Sequence, residues 1–166
     1  MCCTYSDLSQ VWAATIYKGA AKELVRALKF DRAAAAADAI AAALAVQVPA
    51  RHDWVIAHVP TVYGRARQRG YDQAQLIARR LAKRLGCAYV PLLVRQGNQR
   101  QVGQSRVVRQ QQMATAFRAS LRTAAPQPPV LLIDDVITTG ATLAAAAHAL
   151  RAAGVRTVHA AVFAAA

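Results

Sequence analysis

Acidic residues are scarce in this chain, eight against 21 lysines and arginines, so the formal charge is +13. That balance disfavours cationic partners and favours polyanions, either the phosphates of a small ligand or a nucleic-acid backbone. Cysteine is scarcer still. Cys2, Cys3 and Cys87 form no C-x-x-C pair, and their odd number supports neither a disulfide framework nor a zinc site. Aromatic residues make up only 6% of the chain. Long apolar runs are missing: none reaches the roughly 20 residues of a membrane span. No positively charged start leads into an apolar block, so no secretion signal is read. These absences together give the expectation of a cytoplasmic chain, and 166 residues fit one domain with a sizeable core.

The charge is unevenly placed. Between Arg51 and Arg109 lie twelve of the 21 basic residues and only two of the eight acids, Asp53 and Asp72. Around this belt the periodicities alternate. Ala21, Leu24, Val25 and Leu28 fall at helical spacing, which predicts a helix from about Gly19 to Phe30. A second, alanine-rich helix is expected from about Ala33 to Val46. The run Trp54 to Pro60, "WVIAHVP", reads as a strand buried on both faces. After an arginine-bearing loop, Asp72 is placed to cap a helix whose stripe is Ala74, Ile77, Ala78, Leu81 and Leu85, with Gly86 as its left-handed stop. "AYVPLLV" predicts one strand, and Arg95 to Gln112 a long polar, mobile loop. "VLLID", then a helix closed by Gly154, then "VRTVHAAVFAA" complete the pattern. Strands alternating with helices imply an α/β fold with a mostly parallel sheet flanked by helices.

One stretch carries chemistry: "VLLIDDVITTGAT", Val130 to Thr142. Successive side chains of a strand point to opposite faces, so adjacent Asp134 and Asp135 within a strand would drive one carboxylate inward. The strand is therefore expected to end at about Ile133, leaving both acids at its carboxyl edge. Ligands bind at that edge in open α/β sheets. Two carboxylates there can accept from vicinal hydroxyls or hold a hydrated magnesium ion. Thr138, Thr139, Gly140, Ala141 and Thr142 then lead into a helix whose first free amides favour an anion. A diol site and a monophosphate site, a few residues apart, match a ribose 5-phosphate.

The same stretch resembles, over its whole length, the 5-phosphoribosyl 1-pyrophosphate signature of type I phosphoribosyltransferases. A narrower resemblance is to the ComF family of phosphoribosyltransferase-like competence proteins. It is carried by "YKGAAKELVRALKF", Val59-Pro60, "RQRGYDQAQLIARRLA" and "QVGQSRVVRQQQMATAF", and runs from about Tyr17 to the end. Gln101, Arg109 and Phe117 keep the family's spacing, while Gln112 stands where asparagine is usual. Family members usually begin with a cysteine-rich zinc module, of which residues 1–16 hold only "MCC". The resemblance therefore divides the chain into a short N-terminal segment, 1–16, and a phosphoribosyltransferase-like domain, 17–166.

The resemblance implies a function and a site. Asp134 and Asp135 would contact the ribose hydroxyls, directly or through water on magnesium, and residues 138–142 would cradle the 5-phosphate. Arg65, Arg67 and Arg69 would meet the pyrophosphate, since a guanidinium fork matches phosphate oxygens. Gln101 and Arg109 would sit in a hood that closes over the substrate. The implied reaction is pentosyl transfer at C1 of the ribose, with Mg2+ as cofactor. The implied setting is DNA uptake, with single-stranded DNA and other competence proteins, such as the late-competence helicase, as partners. Two alternatives accompany it, a nucleobase-salvage transferase and a non-catalytic accessory protein that binds single-stranded DNA. No candidate base is read: His52, His58, His148 and His159 are scattered.

Overall fold

The computed structural model describes residues 7–28, 33–61, 70–96, 116–121 and 128–166. Along the chain, β1 (Gln10–Ile16) leads to α1 (Gly19–Ala27), α2 (Ala33–Gln47) and β2 (Val55–His58). Then come α3 (Gln73–Leu85), β3 (Ala88–Tyr89), β4 (Leu93–Arg95) and β5 (Phe117–Ala119). β6 (Val130–Ile137), α4 (Ala141–Ala152) and β7 (Val158–Ala165) close it. Five strands form one parallel sheet in the order β1-β7-β6-β2-β3, and β4 pairs antiparallel with β5 as a separate ribbon.

β6 is central because its sequence tolerates burial on both faces. Val130, Leu131, Leu132 and Ile133 are all 1% exposed or less, the mark of a strand covered by helices on either side. One apolar cluster joins Ile133, Ile56, Trp54 and Ala161 to α2, α3 and the buried end of α1. The other joins Leu132, Ala57 and Val162 to α4 and the β4–β5 ribbon.

The helices follow their sequence signals. Asp72 caps α3, its Oδ1 accepting from the Gln75 amide at 3.2 Å, and Gly86 closes the helix in the left-handed conformation (φ +66°). Ala74, Ile77, Ala78 and Leu81 are buried as their spacing predicts. α1 is shorter than expected. It stops at Ala27 with Leu28 as C-cap, and residues 29–32 lie outside the described residues.

Three strand assignments differ from the sequence reading. "AYVPLLV" is two strands, β3 in the main sheet and β4 in the ribbon. Pro91 has no N–H to continue a ladder, so the chain leaves the sheet after Val90 donates to the Ile56 carbonyl (3.0 Å). Gln10–Ile16, which the family resemblance sets in a short N-terminal segment, pairs in parallel with β7 from Gln10↔His159 to Ile16↔Ala165. Most important for the site, β6 does not end at Ile133. It continues through both acids to Ile137 in unbroken register with β7, Asp134 opposite Val162 and Val136 opposite Ala164.

Candidate functional site at the carboxyl edge of the sheet

The reason β6 can run on lies in its two neighbours. β2 accompanies it only to the pair His58↔Ile133, after which the Val59 amide donates to the Ile133 carbonyl (3.0 Å). Beyond that point β6 keeps β7 on one side and has lost β2 on the other. The acid pair thus stands at the carboxyl edge as regards β2, yet inside a strand as regards β7. Backbone groups deprived of β2 need other partners. The carboxylates supply them: Asp134 Oδ1 accepts from the Asp135 amide (2.9 Å), and Asp135 Oδ1 from the Val136 amide (2.8 Å).

Strand alternation sends the two carboxylates to opposite faces. The cost falls on Asp134. Burial pushes its carboxyl well above the usual carboxylate range, and the neighbouring Asp135 charge pushes the same way. Asp72 adds a smaller push in that direction.

After β6 the chain turns through exposed Thr138 and Thr139 to Gly140, which is buried at φ +73°. A side chain there would cost strain, and Gly avoids it. Gly140 is the N-cap of α4. The first helical bond runs from the Ala144 amide to the Gly140 carbonyl (2.9 Å), so the amides of Ala141, Thr142 and Leu143 precede the ladder. Ala141 reaches only the Thr139 hydroxyl, at 3.5 Å. Three backbone donors at a helix start, beside a glycine that permits close approach, make an anion seat.

Opposite this turn, β2 ends in His58, Val59, Pro60 and Thr61. Asp72 ties that segment to α3, its Oδ2 accepting from the Thr61 amide (2.7 Å) while Oδ1 caps the helix. Buried His58 shares a hydrogen bond with the Tyr89 hydroxyl (Nδ1 to O, 3.0 Å). Burial holds the His58 imidazole below its ordinary pKa; Asp72 opposes that shift and Arg79 assists it. Arg95, at the end of β4, donates to the Pro60 carbonyl (3.3 Å) and stacks over Phe117 of β5 (5.1 Å). The root of the β4–β5 ribbon is thereby fastened to the end of β2. Asp72 was legible only as a helix cap, and the part of His58, Tyr89 and Arg95 at this edge was not legible at all. A histidine as the last residue of an all-apolar strand was the available signal.

The structure therefore brings Asp134, Asp135, Thr138, Thr139, Gly140, Ala141 and Thr142 together at one edge. Arg65, Arg67, Arg69, Gln101 and Arg109 lie outside the described residues, as does most of the stretch read as a hood. Among the described residues no group of three or more His, Cys, Asp or Glu side chains could cage a metal. Two carboxylates on opposite faces could not both ligate one ion directly, so a magnesium ion at this edge would keep most of its waters. None of the described helices is long and apolar enough to cross a membrane.

Comparison with known proteins gives this geometry a context. A model of the phosphoribosyl transferase domain matches residues 69–166. Competence protein F of Haemophilus influenzae (strain ATCC 51907 / DSM 11121 / KW20 / Rd) is 34% identical over 103 residues, which are 60% of this chain and 45% of that protein. The chain thus spans about half the length of that curated relative. Two solved structures share the fold. One is the glutamine phosphoribosylpyrophosphate amidotransferase from B. subtilis complexed with ADP and GMP. It has a TM-score of 0.54 and 21% identity, over 78% of this chain and 26% of that one. The other is described as the allosteric regulatory enzyme of purine biosynthesis. It has a TM-score of 0.52 and 22% identity, over 76% of this chain and 25% of that one.

Proposed function

This chain belongs to the phosphoribosyl transferase domain family, and from that premise we propose that it binds 5-phosphoribosyl 1-pyrophosphate with magnesium at the carboxyl edge of β6. The observation that carries the reading is the direct succession of acid pair, left-handed Gly140 and the three α4 amides that precede the helical ladder, at the point where β2 stops. Amides 141–143 receive the 5-phosphate. Thr138, Thr139 and Thr142 add hydroxyl donors; of the two acids, which point to opposite faces, one takes the ribose hydroxyls directly and the other acts through water. Arg65, Arg67 and Arg69 follow the end of β2 in sequence and meet the pyrophosphate.

Magnesium, when bound, supplies charge neutralisation on the pyrophosphate oxygens. The chain's own residues do the rest. The acids orient the sugar so that C1 faces the acceptor, and the arginines stabilise the charge that develops as the C1–oxygen bond breaks. Gln101 and Arg109 belong to the segment joining β4 to β5, whose root Arg95 fixes beside Pro60. That attachment supports its reading as a hood that excludes water from C1. The similarity to Competence protein F supports placing this chemistry in DNA uptake, with single-stranded DNA and other competence proteins as partners.

The test is thermal unfolding with the diphosphate, with and without magnesium. A ligand at a hundred times its Kd stabilises by about 2.7 kcal/mol, a shift of several degrees. The shift is expected only with magnesium and is lost in an Asp134→Asn/Asp135→Asn variant that still folds. A ligand shift unchanged in that variant would place the pocket elsewhere.

A further inference from the structure

β1 stands at one end of the parallel sheet, and among the described residues only β7 pairs with it. Its outer side is a row of backbone donors and acceptors with no strand beside it. The two ends of the strand show which residues supply that row. The Ser9 amide donates to the Val158 carbonyl and the Tyr17 amide to the Ala165 carbonyl, both at 2.8 Å. Between them the register with β7 is constant from Gln10 to Ile16. Odd-numbered residues therefore turn their backbone groups to β7, and Gln10, Trp12, Ala14 and Ile16 turn theirs outward.

Edge strands are ordinarily protected from further pairing by a charge, a proline or a bulge. β1 has neither charge nor proline, and its constant register leaves no bulge. Ala13 and Thr15 are exposed, and Ile16 is 64% exposed. The chain's charge of +13 does not shield this edge either, because Asp7 to Lys18 holds one acid and one base, at its two ends, and is neutral.

We propose that this edge pairs antiparallel with the same edge of a second copy of the chain, about a two-fold axis at Ala13, joining two five-stranded sheets into one. The proposal is independent of the sugar-phosphate assignment. In that arrangement the strand is complementary to itself. Ala13, whose backbone groups face β7, meets its counterpart in a non-hydrogen-bonded pair, where Cα atoms approach to about 4.5 Å and small side chains fit. Trp12 of each copy exchanges backbone bonds with Ala14 of the other, a large residue beside a small one, and Gln10 does so with Ile16. Exposed Ile16 thereby moves to the other copy's amino end of the sheet. Val46, 81% exposed, lies at that end, because α2 leads back to the start of β2. Asp7, whose Oδ2 meets His148 of its own copy at 3.0 Å, arrives at the strand end that carries exposed Lys18. Opposite charges thus meet at both ends of the pairing. A second copy supplies this match by symmetry, residue i meeting j wherever j meets i, whereas a foreign strand has no reason to carry it.

The experiment is sedimentation equilibrium of the full chain at about 50 µM, since association follows mass action. The wild-type chain is expected to sediment as a dimer. Ala13→Lys and Ala13→Glu each set like charges directly across the axis, and each alone is expected to weaken association at least tenfold. An equimolar mixture of the two is expected to recover the dimer, because unlike charges then face each other. Neither misfolding nor an interface elsewhere on the molecule can produce that recovery. Ala14→Pro removes an outward N–H and spares the bonds to β7, so a monomer with an unchanged circular-dichroism spectrum is expected. The proposal is overturned if the wild-type chain is a monomer at this concentration, or if either Ala13 variant alone associates as wild type does. It is equally overturned if the mixture stays monomeric, or if Ala14→Pro still forms the dimer.

Discussion

At the scale of the residue, Asp134 concentrates the tension between folding and binding. It sits within a strand whose positions, Asp135 apart, are otherwise apolar, and its folded-state carboxyl is held well above the usual carboxylate range, chiefly by burial. The sign of the consequence is fixed. Well below the ordinary carboxylate pKa the carboxyl is neutral in both folded and unfolded states. As pH rises through the raised folded value, the chain must bury a charge or give up stability. Wild-type stability therefore falls across that window, and Asp134→Asn is expected to flatten the decline. At pH 7 the variant should gain roughly 1 kcal/mol, a Tm higher by about 3 °C in a domain of this size, while losing sugar-diphosphate binding. Thermal scans of both proteins at pH 4 and pH 7 check this, and an Asn variant less stable than wild type at pH 7 would refute it. The acid pair was conspicuous in sequence because it follows four apolar residues. Its placement inside the strand was not, because that depends on β2 ending at His58 while β7 continues, a relation between strands distant in sequence.

At the scale of the element, legibility followed locality. α3 could be read almost to the residue: the Asp72 cap, the buried stripe and the Gly86 stop are all encoded within the helix itself. β6 and β7 announced themselves as apolar runs. β3 and β4 merged into one expected strand because only the sheet geometry separates Tyr89, paired beside Ile56, from Leu93, paired with Ala119. β5, three residues long, carried no periodicity to detect. What sequence showed least is that one side chain can serve two elements. Asp72 caps α3 with one oxygen and holds the Thr61 amide with the other. Asp72→Ser keeps a competent cap but is too short to reach Thr61, whereas Asp72→Ala removes both bonds. Caps contribute about 1 kcal/mol, and a buried amide left without a partner costs a further 1–3 kcal/mol or so. The expected order of stability in urea is therefore wild type, then Ser, then Ala, with Ala about 2 kcal/mol below wild type. Equal midpoints for Ser and wild type would show that the Thr61 bond contributes nothing.

At the scale of the whole molecule, the sheet has two ends of different character. The carboxyl edge gathers acids, a glycine turn and free amides. The amino edge is closed by rings: His159 of β7 stacks against Trp12 of β1 (5.4 Å) and Trp54 before β2 (5.7 Å), and the two tryptophans meet at 5.7 Å. Neither the Trp54 Nε1 nor the His159 Nδ1 finds a partner among the described residues. The cluster is thus held by packing, and burial keeps the His159 imidazole below its ordinary pKa, assisted by the Arg51 charge. Trp12 reaches this cluster only because β1 lies against β7, where it also covers what would otherwise be an open edge of the sheet. Family resemblance begins at about Tyr17, so a chain started there would keep every residue of the carboxyl edge and lose β1. Such a chain would expose the unpaired edge of β7, a template for association with other strands, and would unstack His159. Its unfolding free energy, from urea titration, is expected to be at least ~3 kcal/mol below that of the full chain, the scale for losing a large packed aromatic, and it is expected to elute in part as aggregates. Trp12→Ala in the full chain, which keeps the strand but not the ring, should fall between the two and remain monodisperse. If the shortened chain matches the full one in midpoint and elution, the fold is complete without β1, and the first sixteen residues are the separate segment that the family resemblance implies.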